Sequence, residues 1–387
     1  MNIVVLPYNY PNIYSDISAI FIQDQAKAMS NLGLDVRVVG AVPISLKQVF
    51  KRKKIYFGNV KYVKNNVSVH LFLYPSVPKL KKINSFFRNV INNFLLNKSH
   101  KHKPIDVIHV HNSIAGKPAF NMYEKKQIPY IITEHSSAYV RNLVSKKEIV
   151  EYRNIYKHAS CRIAVSKQFC AVLKDIFALE FTYIPNIVNQ DFFFRKPEKT
   201  KKEITFINVA NLLKNKNHEL LIKAFAKTFR EENVKLHILG AGPEYNNLQS
   251  LIIKLNVEDK ITLFGKSNRD KVIYELQKSD VFVLSSIYET FGVVLIEAMA
   301  CGLPVISTKC GGPESIITNK NLGELVESNI DELSVAMYKV YSNLRAYDNN
   351  EISNFVEDNF SEKVIANKLN NILNNVVFLK SKMSSEA

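Results

Sequence analysis

Two glutamates and a lysine are the residues on which chemistry can be built. Glu289 and Glu297, with seven residues between them, bracket the start of ETFGVVLIEAMACGLP, which runs from Glu289 to Pro304. Gly292 allows a tight turn into a helix, Gly302 suits the C-cap, and Pro304 blocks continuation. Apart from Glu297 the helix is apolar (Val293, Val294, Leu295, Ile296, Ala298, Met299, Ala300), so burial is expected. A buried carboxylate is costly unless paired or hydrogen-bonded, and no basic residue stands three or four positions away.

A sugar diol would satisfy Glu297, because one carboxylate accepts two hydroxyl donors. It lies ~7.5 Å past Gly292 along the axis, at ~1.5 Å per residue. A phosphate on the free amides of the helix start would place a nucleoside ribose about that far along. Glu289, just before the helix, can meet a second set of hydroxyls. Either acid alone reads as a solvated or capping residue; the bracketing pair points to a ligand. A diphosphate also needs positive charge. No DxD-like acidic pair sits in a strand-end loop to hold Mg²⁺, so no metal or other cofactor is expected and a lysine must serve. Lys216 in KNKNH is the candidate, with Lys214 behind it.

These residues need strands to present them. In the front half, apolar strands (Ile3–Leu6, Val36–Val39, Val67–Leu73, Val107–His111, Tyr130–Thr133, Arg162–Val165, Thr182–Ile184) alternate with helical periodicity at Phe21–Leu32, Ala115–Lys125, Glu148–His158 and Lys167–Phe177. The pattern dissolves in the charged stretch 189–202, a predicted linker. A second alternation then runs from ITFINVA to PVIST. Two such runs predict an α/β protein with two doubly wound parallel-sheet domains, 1–188 and 203–365, followed by a C-terminal helix and tail at 366–387. In open α/β sheets ligands bind beyond the carboxyl ends of the strands. Every strand of the second run is followed there by Gly, Lys, Glu or Ser: Asn211 to Lys216, Gly240 to Glu244, Gly265-Lys266, Ser285 to Gly292, and Lys309 to Glu314.

The chain has 387 residues, which fits two domains. Its net charge of +17 is lopsided: residues up to Gln190 hold 27 basic and 10 acidic side chains, and the remainder 25 of each. No acid occurs between Asp35 and Asp106, a stretch with fifteen Lys and Arg that includes Lys51-Arg52-Lys53-Lys54 and Lys79, Lys81, Lys82. Within it Lys79–Lys98 reads as an amphipathic helix, with Leu80, Ile83, Phe87, Val90, Ile91 and Phe94 at three-to-four spacing. Such a helix suits an anionic membrane surface, or equally a protein core with a solvated basic face. No nucleic-acid motif accompanies the charge. Four dispersed cysteines without a CxxC pair indicate reduced thiols, and neither a secretory signal nor a membrane span is expected. A cytoplasmic protein is the expectation.

At these residues the chain resembles the retaining glycosyltransferases of family 4, which have the GT-B fold. ETFGVVLIEAMACGLPVIST matches the family's two-glutamate hallmark, and NVANLLKNKNHELLIKAF, LGAGPE, LFGK and GGPES follow in the family's order. The resemblance implies two Rossmann-like domains facing across a cleft, a nucleoside-diphosphate sugar as donor, and transfer to a hydroxyl acceptor. It implies that Glu289 contacts donor-sugar hydroxyls and Glu297 the ribose. Lys216 and the amides of Phe291–Val293, next to Thr290, would hold the diphosphate, with Asn211 and Gly242 on the adjoining loops. The Gly265-Lys266 backbone would meet the base. His135, in IITEHSSAY, would lie beside the donor sugar.

His109 and His111 share one strand face; a zinc pair is one reading, a cleft-lining or packing role the preferred one. Two positions depart from the family. Asn211 stands where an Arg is common, leaving Lys216 more of the diphosphate charge, and Ser18-Ala19 replaces a Gly-rich turn ahead of IFIQDQAKAM. Basicity and resemblance together suggest a glycan or polyprenyl-linked acceptor in cell-surface polysaccharide assembly, with the enzyme peripheral at the inner membrane face. The alternatives are a catalytically silent nucleotide-sugar-binding scaffold and a GT-B relative with phosphorylase or epimerase chemistry.

Overall fold

The computed structural model describes residues 1–16, 18–45, 49, 55–77, 80–193 and 203–385. It divides into two units, Met1–Ile187 with Glu362–Ala387, and Val188–Ser361.

In the first unit eight strands form one sheet: β1 (Asn2–Leu6), β2 (Asp35–Ser45), β3 (Gly58–Lys64), β4 (Val67–Ser76), β5 (Val107–His111), β6 (Tyr130–Glu134), β7 (Cys161–Ala164) and β8 (Thr182–Tyr183). Their order is β3-β4-β2-β1-β5-β6-β7-β8, parallel except for the antiparallel β3–β4 edge. The order reverses between β1 and β5, a topological switch point. Helices α1 (Ile20–Asn31), α2 (Lys81–His102), α3 (Lys117–Lys126), α4 (Lys146–His158) and α5 (Lys167–Phe177) connect the strands. β3 has no counterpart among the sequence-derived strands. It is a half-exposed edge carrying Lys61 and Lys64, too polar to stand out as an apolar run.

Helix α2 turns its apolar stripe outward. Leu80, just before it, is 45% exposed, Ile83 45%, Phe87 49%, Val90 50% and Phe94 64%, whereas Arg88, Asn92, Leu95 and Leu96 are buried. Of the expected stripe only Ile91 is half-buried. This corrects the core-packing reading, and β2 supplies the reason. β2 pairs with β1 only as far as Val38, so the Ala41 amide lies past β1 and donates instead to Asn92 Oδ1 at 2.7 Å. Satisfying that buried N–H turns the polar face inward. Lys51–Lys54 and Lys79 lie outside the described residues.

The second unit contains β9 (Ile204–Val209), α6 (His218–Thr228), β10 (Val234–Leu239), α7 (Tyr245–Lys254), β11 (Ile261–Gly265), α8 (Arg269–Lys278), β12 (Val281–Leu284), α9 (Val293–Ala300), β13 (Val305–Thr308), β14 (Gly323–Val326), α10 (Ile330–Ser342) and α11 (Asn349–Phe360). The sheet is wholly parallel in the order β11-β10-β9-β12-β13-β14, with its switch point between β9 and β12. β14, the short GELV, was not anticipated. Of the expected linker, Gln190–Phe192 forms a 3₁₀ turn in this unit with Phe192 buried; 194–202 lie outside the described residues.

The last helix, α12 (Glu362–Ser385), belongs to the first unit. Ile365, Ala366, Leu369, Leu373 and Val376 join the core of Ile3, Val5, Ile22 and Met29, and Lys27 pairs with Glu362 at 3.0 Å. The second unit therefore ends at Ser361, four residues before the boundary drawn from sequence, and the final helix is part of the first unit's core. Among the described residues no helix is long and apolar enough to cross a membrane.

Candidate functional site

The five strand-end loops of the second unit are tied into one rim by backbone hydrogen bonds. Gly240 N–H donates to Gly265 O at 2.9 Å, Leu212 N–H to Ala241 O at 3.1 Å, and Ile287 N–H to Asn215 O at 2.8 Å. Glu289 then donates to Cys310 O at 2.9 Å and accepts from Gly312 N–H at 2.8 Å. Close approach explains Gly242: a Cβ there would stand 2.1 Å from Leu212 O. The loops that carry the candidate residues thus hold one another in place.

Lys216 and Glu289 meet at the switch point, one from the loop after β9 and one from the loop after β12. Lys216 Nζ lies 2.5 Å from Glu289 Oε1, with side chains 21% and 14% exposed. Ser286 Oγ donates to the same oxygen at 2.8 Å, and Ser285 Oγ to Lys216 O at 2.9 Å. Both serines are buried, and neither was singled out from sequence; hydroxyls following the apolar VFVL run were the available signal. An ion pair this enclosed is costly to break from one side.

Downstream, Gly292 adopts φ 97°, the left-handed conformation that favours glycine, and α9 begins at Val293. Gly292, the N-cap residue, has no side chain to cap the first turn, whose amides point toward the helix start. Phe291 is buried against Phe360, with ring centroids 5.9 Å apart, and anchors the turn; Thr290 is half-buried. Burial of the whole helix was expected, but Val293, Val294 and Glu297 are half-buried. They share one stripe of the helix while Leu295, Ile296 and Ala298–Ala300 fill the core. Glu297 is therefore on the helix's accessible side, and its desolvation cost is smaller than a fully buried carboxylate would incur.

Asn211 and Lys266 are exposed on the rim, and Gly242 and Gly265 are half-buried. Lys214 is not with Lys216: it is exposed and lines a 570 Å³ cavity between α6 and α7 that includes Asn217, Glu244 and Leu251.

In the first unit β5 and β6 end in a buried polar cluster. His109 Nε2 lies 2.8 Å from Thr133 Oγ1, and His111 Nδ1 lies 3.0 Å from His135 Nε2. The rings of His109 and His111 are 4.3 Å apart, and Phe21 of α1 packs on His135 at 4.7 Å. Burial pushes His109 and His135 down to about 3 and His111 well below its ordinary value. All three are neutral near pH 7, which suits packing and hydrogen bonding. Among the described residues no group of three or more His, Cys, Asp or Glu is arranged to hold a metal ion.

Beneath His135 lies Glu134, fully buried and missed from sequence. Its Oε1 accepts from His135 N–H (3.0 Å) and Ser136 N–H (2.9 Å), and its Oε2 from Ser113 N–H (2.9 Å) and Tyr156 OH (2.6 Å). Four donors fix both strand-end loops. A lone acid closing the apolar strand YIITE was the signal for it. At the start of α1, Ala19 takes φ 53°. This is the left-handed conformation a glycine would adopt freely, and it costs an L-residue about 1 kcal/mol.

The sequence matches the model of glycosyl transferases group 1 over residues 189–355 and that of glycosyltransferase family 4 over 18–192. An uncharacterized glycosyltransferase of Methanocaldococcus jannaschii is 30% identical over 294 residues, covering 69% of this chain and 74% of that protein. The N-acetyl-alpha-D-glucosaminyl L-malate synthase of Bacillus anthracis is 38% identical over 128 residues, only 33% of either chain. Anabaena HepE, solved with UDP and glucose, superposes with a TM-score of 0.73 at 15% identity over 97% of this chain and 100% of that one.

Proposed function

The chain belongs to the family 4 glycosyltransferases with the GT-B fold, and from that premise we propose that it moves a sugar from a nucleoside-diphosphate donor to an acceptor hydroxyl with retention. The observation that carries the reading is the Lys216–Glu289 pair at the second switch point, beside the glycine-started first turn of α9.

As the glycosidic bond breaks, negative charge builds on the leaving diphosphate. The Lys216 ammonium and the amides of Phe291–Val293 stabilise it electrostatically, the role a divalent cation plays elsewhere. Glu289 exchanges its ion pair for hydroxyls of the donor sugar, and Ser286 keeps its carboxylate oriented. Glu297, on the accessible stripe of α9, takes the ribose diol. Asn211 and Gly242 border the phosphates, and Gly265 with Lys266 borders the base. His135 serves as a neutral hydrogen-bonding group for the sugar, since a base titrating near 3 takes up little proton at neutral pH. The leaving phosphate assists front-face attack by the acceptor.

The uncancelled charge of the front half and the outward stripe of α2 support an acceptor borne on an anionic membrane. They fit a peripheral enzyme at the inner face of the cell membrane, working on a polyprenyl-linked glycan in surface-polysaccharide assembly. The uridine nucleotide of HepE makes UDP-sugars the first donors to test. The purified chain should release UDP from at least one of them, and release from no uridine or guanosine donor in the presence of lipid-linked glycans would return it to a silent binder. Glu297→Ala should weaken UDP binding about tenfold by calorimetry, as loss of a charge-assisted hydrogen-bond pair requires; unchanged affinity would remove the ribose assignment.

A further inference from the structure

A cavity of about 880 Å³ opens in the first unit at its own switch point. Tyr8 follows β1, Asn112 and Ser113 follow β5, and Ser136 follows β6; these are the strand ends at which an open sheet binds ligands. Its wall opposite the strand ends is α2, and the side chain there is Arg88. Arg88 is only 7% exposed and its Nε has no hydrogen-bond partner. Among the described residues no carboxylate forms an ion pair with it; its side-chain hydrogen-bond partner is the neutral Tyr74 hydroxyl.

An arginine keeps its proton under all ordinary conditions, so its buried charge needs an anion. Lys81, Lys82 and Lys147 add cations to the lining. Of its two acids, Glu148 is engaged in the capping box with Ser145, and Glu151 is exposed to solvent. A planar guanidinium whose Nε is unpartnered and whose hydrogen-bond partner is neutral, at the wall of a cationic cavity, is chemistry that recognises a phosphate-class group.

The same helix says what carries that group. Phe86 lines the cavity and is 64% exposed, and it leads onto the outward stripe of Ile83, Phe87, Val90 and Phe94. The stretch between Asp35 and Asp106 contributes no acid, and although Glu148 of α4 faces Lys81, the lining holds four cations, Lys81, Lys82, Arg88 and Lys147, against two carboxylates. A free anion would fill the cavity and leave the stripe in water, whereas an amphiphile uses both.

We propose that this cavity binds the phosphate-class group of a membrane amphiphile, with Arg88 as its principal ligand and the apolar chain laid along α2. The inference rests on the reading of the first unit as the acceptor side and names the acceptor's chemistry: a lipid phosphate or diphosphate.

The test uses the full chain and three probes: decyl phosphate, inorganic phosphate and decyl glucoside. Decyl phosphate should bind, and by hydrogen exchange it should protect amides in 81–94 and 112–114. Inorganic phosphate and decyl glucoside should each bind at least about tenfold more weakly, lacking the chain and the charge respectively. Arg88→Gln should weaken decyl phosphate by ~10–100-fold. Phe86→Ser with Phe94→Ser, both at exposed positions, should bring decyl phosphate down toward inorganic phosphate.

Should Arg88→Gln not fold, the wild-type footprint and the exposed pair Lys81→Gln with Lys82→Gln, expected to weaken decyl phosphate by about threefold, carry the test. Equal affinity for decyl phosphate and decyl glucoside would overturn the proposal. So would equal affinity for inorganic phosphate, or a footprint confined to 203–361. Decyl phosphate has no acceptor hydroxyl, so its binding is independent of transfer. Binding intact with no transfer to any acceptor would strike the glycosyltransfer reading instead.

Discussion

The two units reverse their strand order in the same way and place opposite electrostatics at the reversal. In the second, an ionised lysine and glutamate face each other with a serine hydroxyl on the shared oxygen. In the first, the strand ends present neutral histidines above a carboxylate whose two oxygens are already filled by four donors. Sheet topology decides where a ligand can bind, and the side chains decide whether the rim can respond to charge. Lys216 and Glu289 are matched to each other across two loops. Glu134 is matched permanently, and holds the loops on which His135 and Ser113 sit.

The largest effect should come from breaking the charged rim. Lys216→Ala removes the cation paired with Glu289 at the switch point, and turnover should fall about 10²–10³, as when an oxyanion donor is lost. Steady-state release of nucleoside diphosphate measures it. Turnover within about threefold of the parent would mean that this rim does not stabilise the leaving group.

The matched rim should show itself first in stability. Glu134→Gln keeps the shape but offers one acceptor oxygen where two were filled, and turns an NH₂ toward buried donors. The first unit should lose about 2–3 kcal/mol, read as a lowered thermal midpoint, while calorimetric UDP affinity stays that of the parent. A weakened UDP affinity at an unchanged midpoint would reverse the comparison.

How far the sequence reaches follows the same division. Lys216, Glu289 and the Gly292 turn were legible because loops after buried parallel strands are short and their residue types unusual. The zipped backbone of the rim was not legible, since it depends on the carbonyls of Asn215, Ala241, Gly265, Glu289 and Cys310, a group that every residue possesses. Glu297 was placed too deep, because an apolar helix of eight residues still leaves one stripe at the surface when its other faces fill the core. Strand β3 hid behind its lysines. Most instructive is α2: periodicity found its apolar stripe but not its direction, which goes with a tertiary contact, the Ala41 N–H that β1 does not reach bonding to Asn92.

The smallest effect is a difference in slope with pH, and its sign follows from burial. His109 and His135 titrate at about 3 in the native state and His111 well below its ordinary value, against about 6.5 in an unfolded chain. As pH falls below about 6.5, the unfolded state takes up protons that the native state refuses. The histidines' contribution is thus complete above that value and is lost on acidification, by up to ~1.4 kcal/mol per pH unit for each. The second unit has His218, held down to about 4 by burial and 3.0 Å from Asn208 Oδ1, and His237 of β10, 3.6 Å from Glu275 Oε2. The three rings of the first unit are in contact, so their protons are coupled and the summed slope is an upper limit. Hydrogen exchange resolves the units separately: the opening free energy of amides in β5 and β6 should fall more steeply between about pH 7 and 5.5 than that of β9 and β10. His109→Gln should flatten the first slope and leave the second alone. Equal slopes in the two units would mean that the first rim is not held neutral, and His135 would then have to be reconsidered as a group that carries charge during the reaction.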